Sequence, residues 1–130
     1  MSEENMSGKE LTGSIILIAC MAHETNRAYC EANGDFSIPE WESAPQWMVQ
    51  SAIDGVGHVL SNPEVTPEES HKNWMAQRIR DNWVYGKEKN VELKMHPSLV
   101  PYSELPQTEK VKDHLFVSTV KTMARMLGVV

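Results

Sequence analysis

The chain is divided into four helix-length segments by its own start and stop signals, and this punctuation constrains the fold more than any other feature. From Ser14 to Asn33 the apolar residues Ile15, Ile18, Ala22 and Tyr29 recur at helical spacing, and Asn33-Gly34 is a left-handed stop. Ser43 with Gln46 reads as a capping box opening a second helix that runs to Leu60, where Asn62-Pro63 ends it. Trp47, Ser51, Gly55 and Val59 repeat every four residues along it, a small-residue face. Gly55 and Gly57 each cost about 1 kcal/mol in a helix, so close packing against another backbone is the expected compensation. Thr66-Pro67-Glu68-Glu69 is a strong third start, with a threonine cap, proline in the first turn and acids at the positive dipole end. That helix is expected to reach Asp81. A fourth, from Gln107 to Leu127, aligns Lys112, Phe116, Val120, Met123 and Leu127 and stops at Gly128.

Between the third and fourth helices the pattern changes. Trp83-Val84-Tyr85-Gly86 reads as a short strand, Lys87 to Glu92 as a charged hairpin tip, and Leu93 to His96 as the returning strand. Pro97 and Pro101 forbid a longer ladder. The expected fold is mainly α, with about four helices and a small antiparallel two-stranded element. Residues 1–12 are polar and read as a disordered tail, leaving 13–130 as a single domain.

With 130 residues and a formal charge of −6, one hydrophobic core is the natural expectation, and the global field repels polyanions. Nucleic acid and anionic membranes are therefore poor partners. The longest apolar run, from Ile15 to Ala22, is far short of a membrane span, and the acidic residues 1–10 lack the basic flank of a signal peptide, so the cytoplasm is the expected location. Cys20 and Cys30 on one helix would stand roughly 15 Å apart, beyond disulfide reach, and read as reduced structural thiols.

Chemistry concentrates between His71 and Tyr102. His71, Trp74 or Met75, and Arg78 share a face of the third helix, and Trp83, Tyr85, Lys94 and His96 follow along the chain. Indoles beside cations suit a stacking and charge-pairing surface. Trp83 and Tyr85 also admit a plain packing role in the core and hairpin. On the first helix His23, Arg27 and Cys30 line one side, with Asn26 in the apolar stripe. His23, Asn26 and Arg27 can serve either as a polar network tying this helix to the loop containing Asp35 or as contacts at a ligand cleft.

His71-x-x-Trp74, Asp81-Asn82-Trp83, Val84-Tyr85-Gly86, the run Lys94-x-His96-Pro97-x-Leu99-Val100-Pro101-Tyr102-x-x-Leu105-Pro106 and a following Lys-x-x-Asp helix together resemble the RyR domain, the repeat of ryanodine receptors. Upstream, residues 23–35, Trp41, Ala44-Pro45, Trp47 and Ser51 to Val56 are similar to stand-alone RyR-domain proteins of bacteria and phages. The family commonly has glycine where Asn82 stands, and asparagine also tolerates a left-handed turn. The resemblance implies a compact helical domain with a small two-stranded element. Paired repeats hold adenine nucleotides between tryptophans, so a single repeat implies a homodimer rebuilding the cleft. It also implies sensing or sequestering of a nucleotide-derived signal of the ADP-ribose or cyclic ADP-ribose type, in phages as a counter-defence sponge. The ligand-binding set is then His71, Trp74, Arg78, Trp83, Tyr85, Lys94, His96, His23, Asn26 and Arg27.

A catalytic reading finds little support. His23-Glu24 begins like a zinc-protease motif, but Arg27 stands where the second histidine belongs. His71 and His96 lack metal-ligand spacing, and there is no nucleophile elbow or phosphate-cradling glycine loop. The expectation is a non-enzymatic binder with no metal or cofactor. The alternatives are a protein-interaction module and, behind it, a nucleotide hydrolase using the same recognition groups.

Overall fold

The structure is a computed structural model that describes residues 7–129 of the chain. Its elements run α1 (Gly8–Ala32), a 3-10 turn (Trp41–Ser43), α2 (Gln46–Ser61), α3 (Pro67–Arg80), β1 (Val84–Tyr85), β2 (Met95–His96), a second 3-10 turn (Tyr102–Glu104) and α4 (Gln107–Leu127). Four helices pack around one core, in which Ile18, Val56, Val59 and Val120 are fully enclosed and Ala19, Ala22, Val117 and Ala124 complete the contact. Ile18 and Ala22 come from the expected stripe of α1, Val59 from α2 and Val120 from α4.

Helix α1 starts before the expected Ser14. The Ser7 hydroxyl accepts from the Glu10 amide at 3.1 Å, and residues 8–12 of the expected disordered tail are therefore helical. Residues 1–6 of that tail lie outside the described residues. Helix α2 also starts differently: the Ser43–Gln46 capping box does not form, and Pro45 caps the helix without a side-chain bond. Proline pushes its predecessor out of the helical region, so Ala44 is extended at ψ 139° and Ser43 closes the 3-10 turn instead. Helix α3 begins as its sequence dictates. Thr66 accepts from the Glu69 amide at 3.2 Å while the Glu69 carboxylate accepts from the Thr66 amide at 2.9 Å.

The strand pair is parallel, with Val84 opposite Met95 and Tyr85 opposite His96, where an antiparallel hairpin was expected. The antiparallel turn lies one step later. Asn90 and Met95 exchange both backbone bonds at 2.9 Å, so the chain reverses between them and β2 runs back along β1 in the same direction. Lys94, at φ 54°, supplies the left-handed residue of that reversal. A parallel pair normally needs a long crossover, but strands of two residues require only two bonds, Val84 N–H to Lys94 and Gly86 N–H to His96. Gly86 permits the approach, since a Cβ there would lie 2.6 Å from the Met95 Cβ. Asn82 adopts φ 69°, the left-handed turn its side chain tolerates.

Candidate functional site

The helices do not close completely. A cavity of about 530 Å³ lies between α1, α2, α3, α4 and the strand pair, inside a single chain. Its most unusual occupant is Arg78. The residue is only 8 % exposed, its guanidinium carbon lies 5.2, 5.3 and 5.6 Å from the ring centroids of Trp47, Trp74 and Trp83, and no acceptor among the described residues bonds it. Helical spacing places Trp74 and Arg78 one turn apart on α3, while α2 brings Trp47 and the residues after Asn82 bring Trp83. Burial lowers the Arg78 pKa, but arginine starts so high that the group stays charged.

His96 closes this aromatic end, 5.0 Å from the Trp74 ring at 76° and 6.4 Å from Trp83. The Ser98 amide donates to its Nδ1 at 3.0 Å. Burial first, then the positive charges of Lys89 and Lys112, push its pKa down to about 4. Neutral at pH 7, His96 keeps its proton on Nε2 and presents a donor.

The other end is ionic. Lys112 bonds Glu109 at 3.0 Å; burial works against its charge, but the carboxylate outweighs burial and holds its pKa above the usual lysine value. Burial lowers the Lys89 pKa at the mouth. Asp35 is held ionised by the hydroxyl and amide of Ser37. Burial, reinforced by Glu109, raises Asp113 to about 7. Among the described residues Arg78 is thus a cation of the cavity wall with no hydrogen-bonded acceptor.

Of the residues singled out from sequence, His71, Trp74, Arg78, Trp83, His96, His23 and Asn26 line the cavity. Three do not. Tyr85 is exposed although strand alternation alone would put it on Trp83's side, and Lys94 turns outward to donate to the Asp81 carbonyl at 2.9 Å. Arg27 is held along α1 by Glu24 and Glu31, both at 2.9 Å. The network reading of this helix has its own bonds: His23 Nε2 donates to the Pro39 carbonyl at 2.7 Å and Glu24 accepts from the Trp41 amide at 2.9 Å.

Sequence reading missed Trp47, Lys89, Lys112 and Asp113 as cavity residues. The signal for Trp47 was the small-residue face of α2. Trp47, Ser51 and Gly55 all line the cavity, with Ser51 donating to Gln77 at 2.9 Å across to α3. The two glycines differ: a Cβ on Gly55 would lie 2.9 Å from Cζ of Phe116, a ring and not a backbone, whereas Gly57 has nothing within 4 Å.

The geometry is that of a four-helix domain with an open-mouthed cavity in which three indoles surround Arg78. The RyR domain family matches residues 56–129, more than half of the chain, and the chain belongs to this family. The matched stretch carries Trp74, Arg78, Trp83, His96 and Lys112, while α1 and Trp47 precede it. Among the described residues, no helix is long and apolar enough to cross a membrane.

Proposed function

We propose that the chain is a non-enzymatic receptor for a small anion with a flat ring system, of the adenine-nucleotide-derived kind, such as ADP-ribose or cyclic ADP-ribose, which it senses or sequesters. The observation that carries this reading is Arg78, nine-tenths buried against three indoles and bonded to no acceptor among the described residues. A buried guanidinium without an acceptor is costly, and a phosphate accepting from its planar edge removes the cost. The indoles offer faces for a base, His96 offers a donor, and about 530 Å³ falls in the range of roughly 300–1,000 Å³ found for small-molecule sites.

Sequestration in a bacterial or phage-infected cytoplasm, the counter-defence role, is part of this reading, as is a two-fold dimer. The cavity walls come from one chain, so a second copy would serve to cover the mouth. Light scattering with and without ligand tests that part.

The main test is thermal stabilisation by ADP-ribose, cyclic ADP-ribose and ATP, with Trp74→Ala removing the shift. No stabilisation by any of the three defeats the reading. Mass analysis of ligand released by heat separates binding from hydrolysis: intact ligand means a receptor. A protein-docking reading draws on the exposed Ile79, Val84, Tyr85, Val91 and Leu93 around the strand pair. It predicts a protein indifferent to the whole ligand panel.

A further inference from the structure

At the ionic end of the cavity two acceptors face each other with no donor between them. His71 is 3 % exposed, and its Nε2 lies 2.8 Å from the Val100 carbonyl. A carbonyl only accepts, so Nε2 carries a proton, and in the neutral tautomer that this bond selects Nδ1 keeps a lone pair. That Nδ1 lies 3.8 Å from Oδ2 of Asp113, too far for a hydrogen bond. No other donor among the described residues bonds the Asp113 carboxyl, because the neighbouring Lys112 ammonium is turned to Glu109 at 3.0 Å. Both residues line the cavity.

We propose that His71 Nδ1 and the Asp113 carboxylate form an acceptor-only subsite that receives a hydroxyl or amino donor of the ligand, the kind of group a ribose diol or an exocyclic amine supplies. A donor seated between two acceptors 3.8 Å apart reaches both at hydrogen-bonding distance. Trp74 links this subsite to the indole cage: its ring is 5.6 Å from the His71 ring, at 25°, and 5.3 Å from the Arg78 guanidinium carbon. A ligand lying on Trp74 can therefore offer its anion to Arg78 and its donor to Asp113. Burial of Asp113 and its proximity to Glu109 raise its pKa to about 7, so the subsite accepts only in the carboxylate form above that pH, where the ligand donor is bound. The inference rests on the receptor reading above, and it adds what that reading leaves open, a requirement for a donor opposite the anion.

Two measurements on the full chain test it. Nitrogen-15 NMR of the free protein reads the His71 tautomer without any ligand, and the expected result is an unprotonated Nδ1. Calorimetry then compares ADP-ribose with its analogue lacking the ribose hydroxyls, on the wild type and on Asp113→Asn, whose amide can donate to Nδ1 and close the gap internally. The wild type is expected to prefer the hydroxylated probe by about 10- to 100-fold, the loss typical of a hydrogen bond to a charged group, and Asp113→Asn to abolish that preference. A protonated Nδ1 on His71, or an Asp113→Asn variant that discriminates between the two probes as the wild type does, overturns the subsite. If neither probe binds the wild type while Nδ1 is unprotonated, the nucleotide reading fails, and a small-polyol screen showing no protection of the His71 signal then overturns the subsite as well.

Discussion

Replacing Arg78 by methionine should make the ligand-free protein more stable and abolish its response to ligand. Arg78 is 8 % exposed, and its guanidinium bonds no acceptor among the described residues. Holding an unpaired ion there costs several kcal/mol even after relaxation and water penetration. Against this stand three indole contacts at 5.2–5.6 Å. Cation–π contacts are worth about 0.5–2 kcal/mol each, and one charge shared among three rings returns roughly 2–4 kcal/mol. Methionine keeps the straight side chain, removes the charge and adds sulfur–aromatic contacts of about 0.3–1.5 kcal/mol. The balance favours the variant by about 1 kcal/mol, a rise in melting temperature of about 3–5 °C for a chain of this size. Urea denaturation with an unchanged slope checks the stability, and the ADP-ribose shift is measured in parallel. A variant destabilised by more than about 2 kcal/mol refutes the argument, because Arg78 would then be cohesive packing. A stabilised variant that still binds refutes the role of Arg78 in the site.

Two half-buried groups give stability opposing pH dependences. The depressed pKa of His96, about 4 against an ordinary 6.5, contributes stability that is present above pH 6.5 and lost as pH falls through 4, about 3 kcal/mol. The raised pKa of Asp113, about 7 against 3.8, contributes stability present below pH 3.8 and lost as pH rises through 7, about 4 kcal/mol. Their contributions nearly cancel between pH 7 and 4, so denaturation midpoints for Asp113→Asn should fall steeply on acidification and those for His96→Gln should rise; two parallel profiles would contradict both shifts. Gly57→Ala, with open space around it, should stabilise by about 1 kcal/mol, whereas Gly55→Ala should destabilise by about 1 kcal/mol as the new methyl meets Phe116. Calorimetric melting that ranks them in the opposite order defeats that reading of α2. Thr66→Ala should cost about 1 kcal/mol by opening the capping box of α3, read as a lower urea midpoint.

How far each element was legible depended on how local its cause is. The start of α3 at Thr66-Pro67 and both ends of α4 could be read directly, because caps, proline and the glycine stop act within one turn of chain. Asn82 in a left-handed turn is likewise a local preference. The α2 start was misplaced although its signal was local too: the capping pair was present, but Pro45 forbade the geometry that would have used it. Strand direction was out of reach, because two-residue strands carry no periodicity to distinguish a hairpin from the tighter reversal at Asn90–Met95.

The same division runs through the candidate site. Sequence alone determined the α3 face on which His71, Trp74 and Arg78 stand, since the 3.6-residue period is a property of the backbone. It also marked Trp83 and His96 as neighbours of that face. Only the tertiary structure decided that Trp47 of α2 supplies the third indole, that Lys112 and Asp113 of α4 face the same space, and that Tyr85, Lys94 and Arg27 turn away from it. Those outcomes follow from how four helices share one core around the Gly55–Phe116 contact, and packing of that kind depends on shapes brought together from distant parts of the chain.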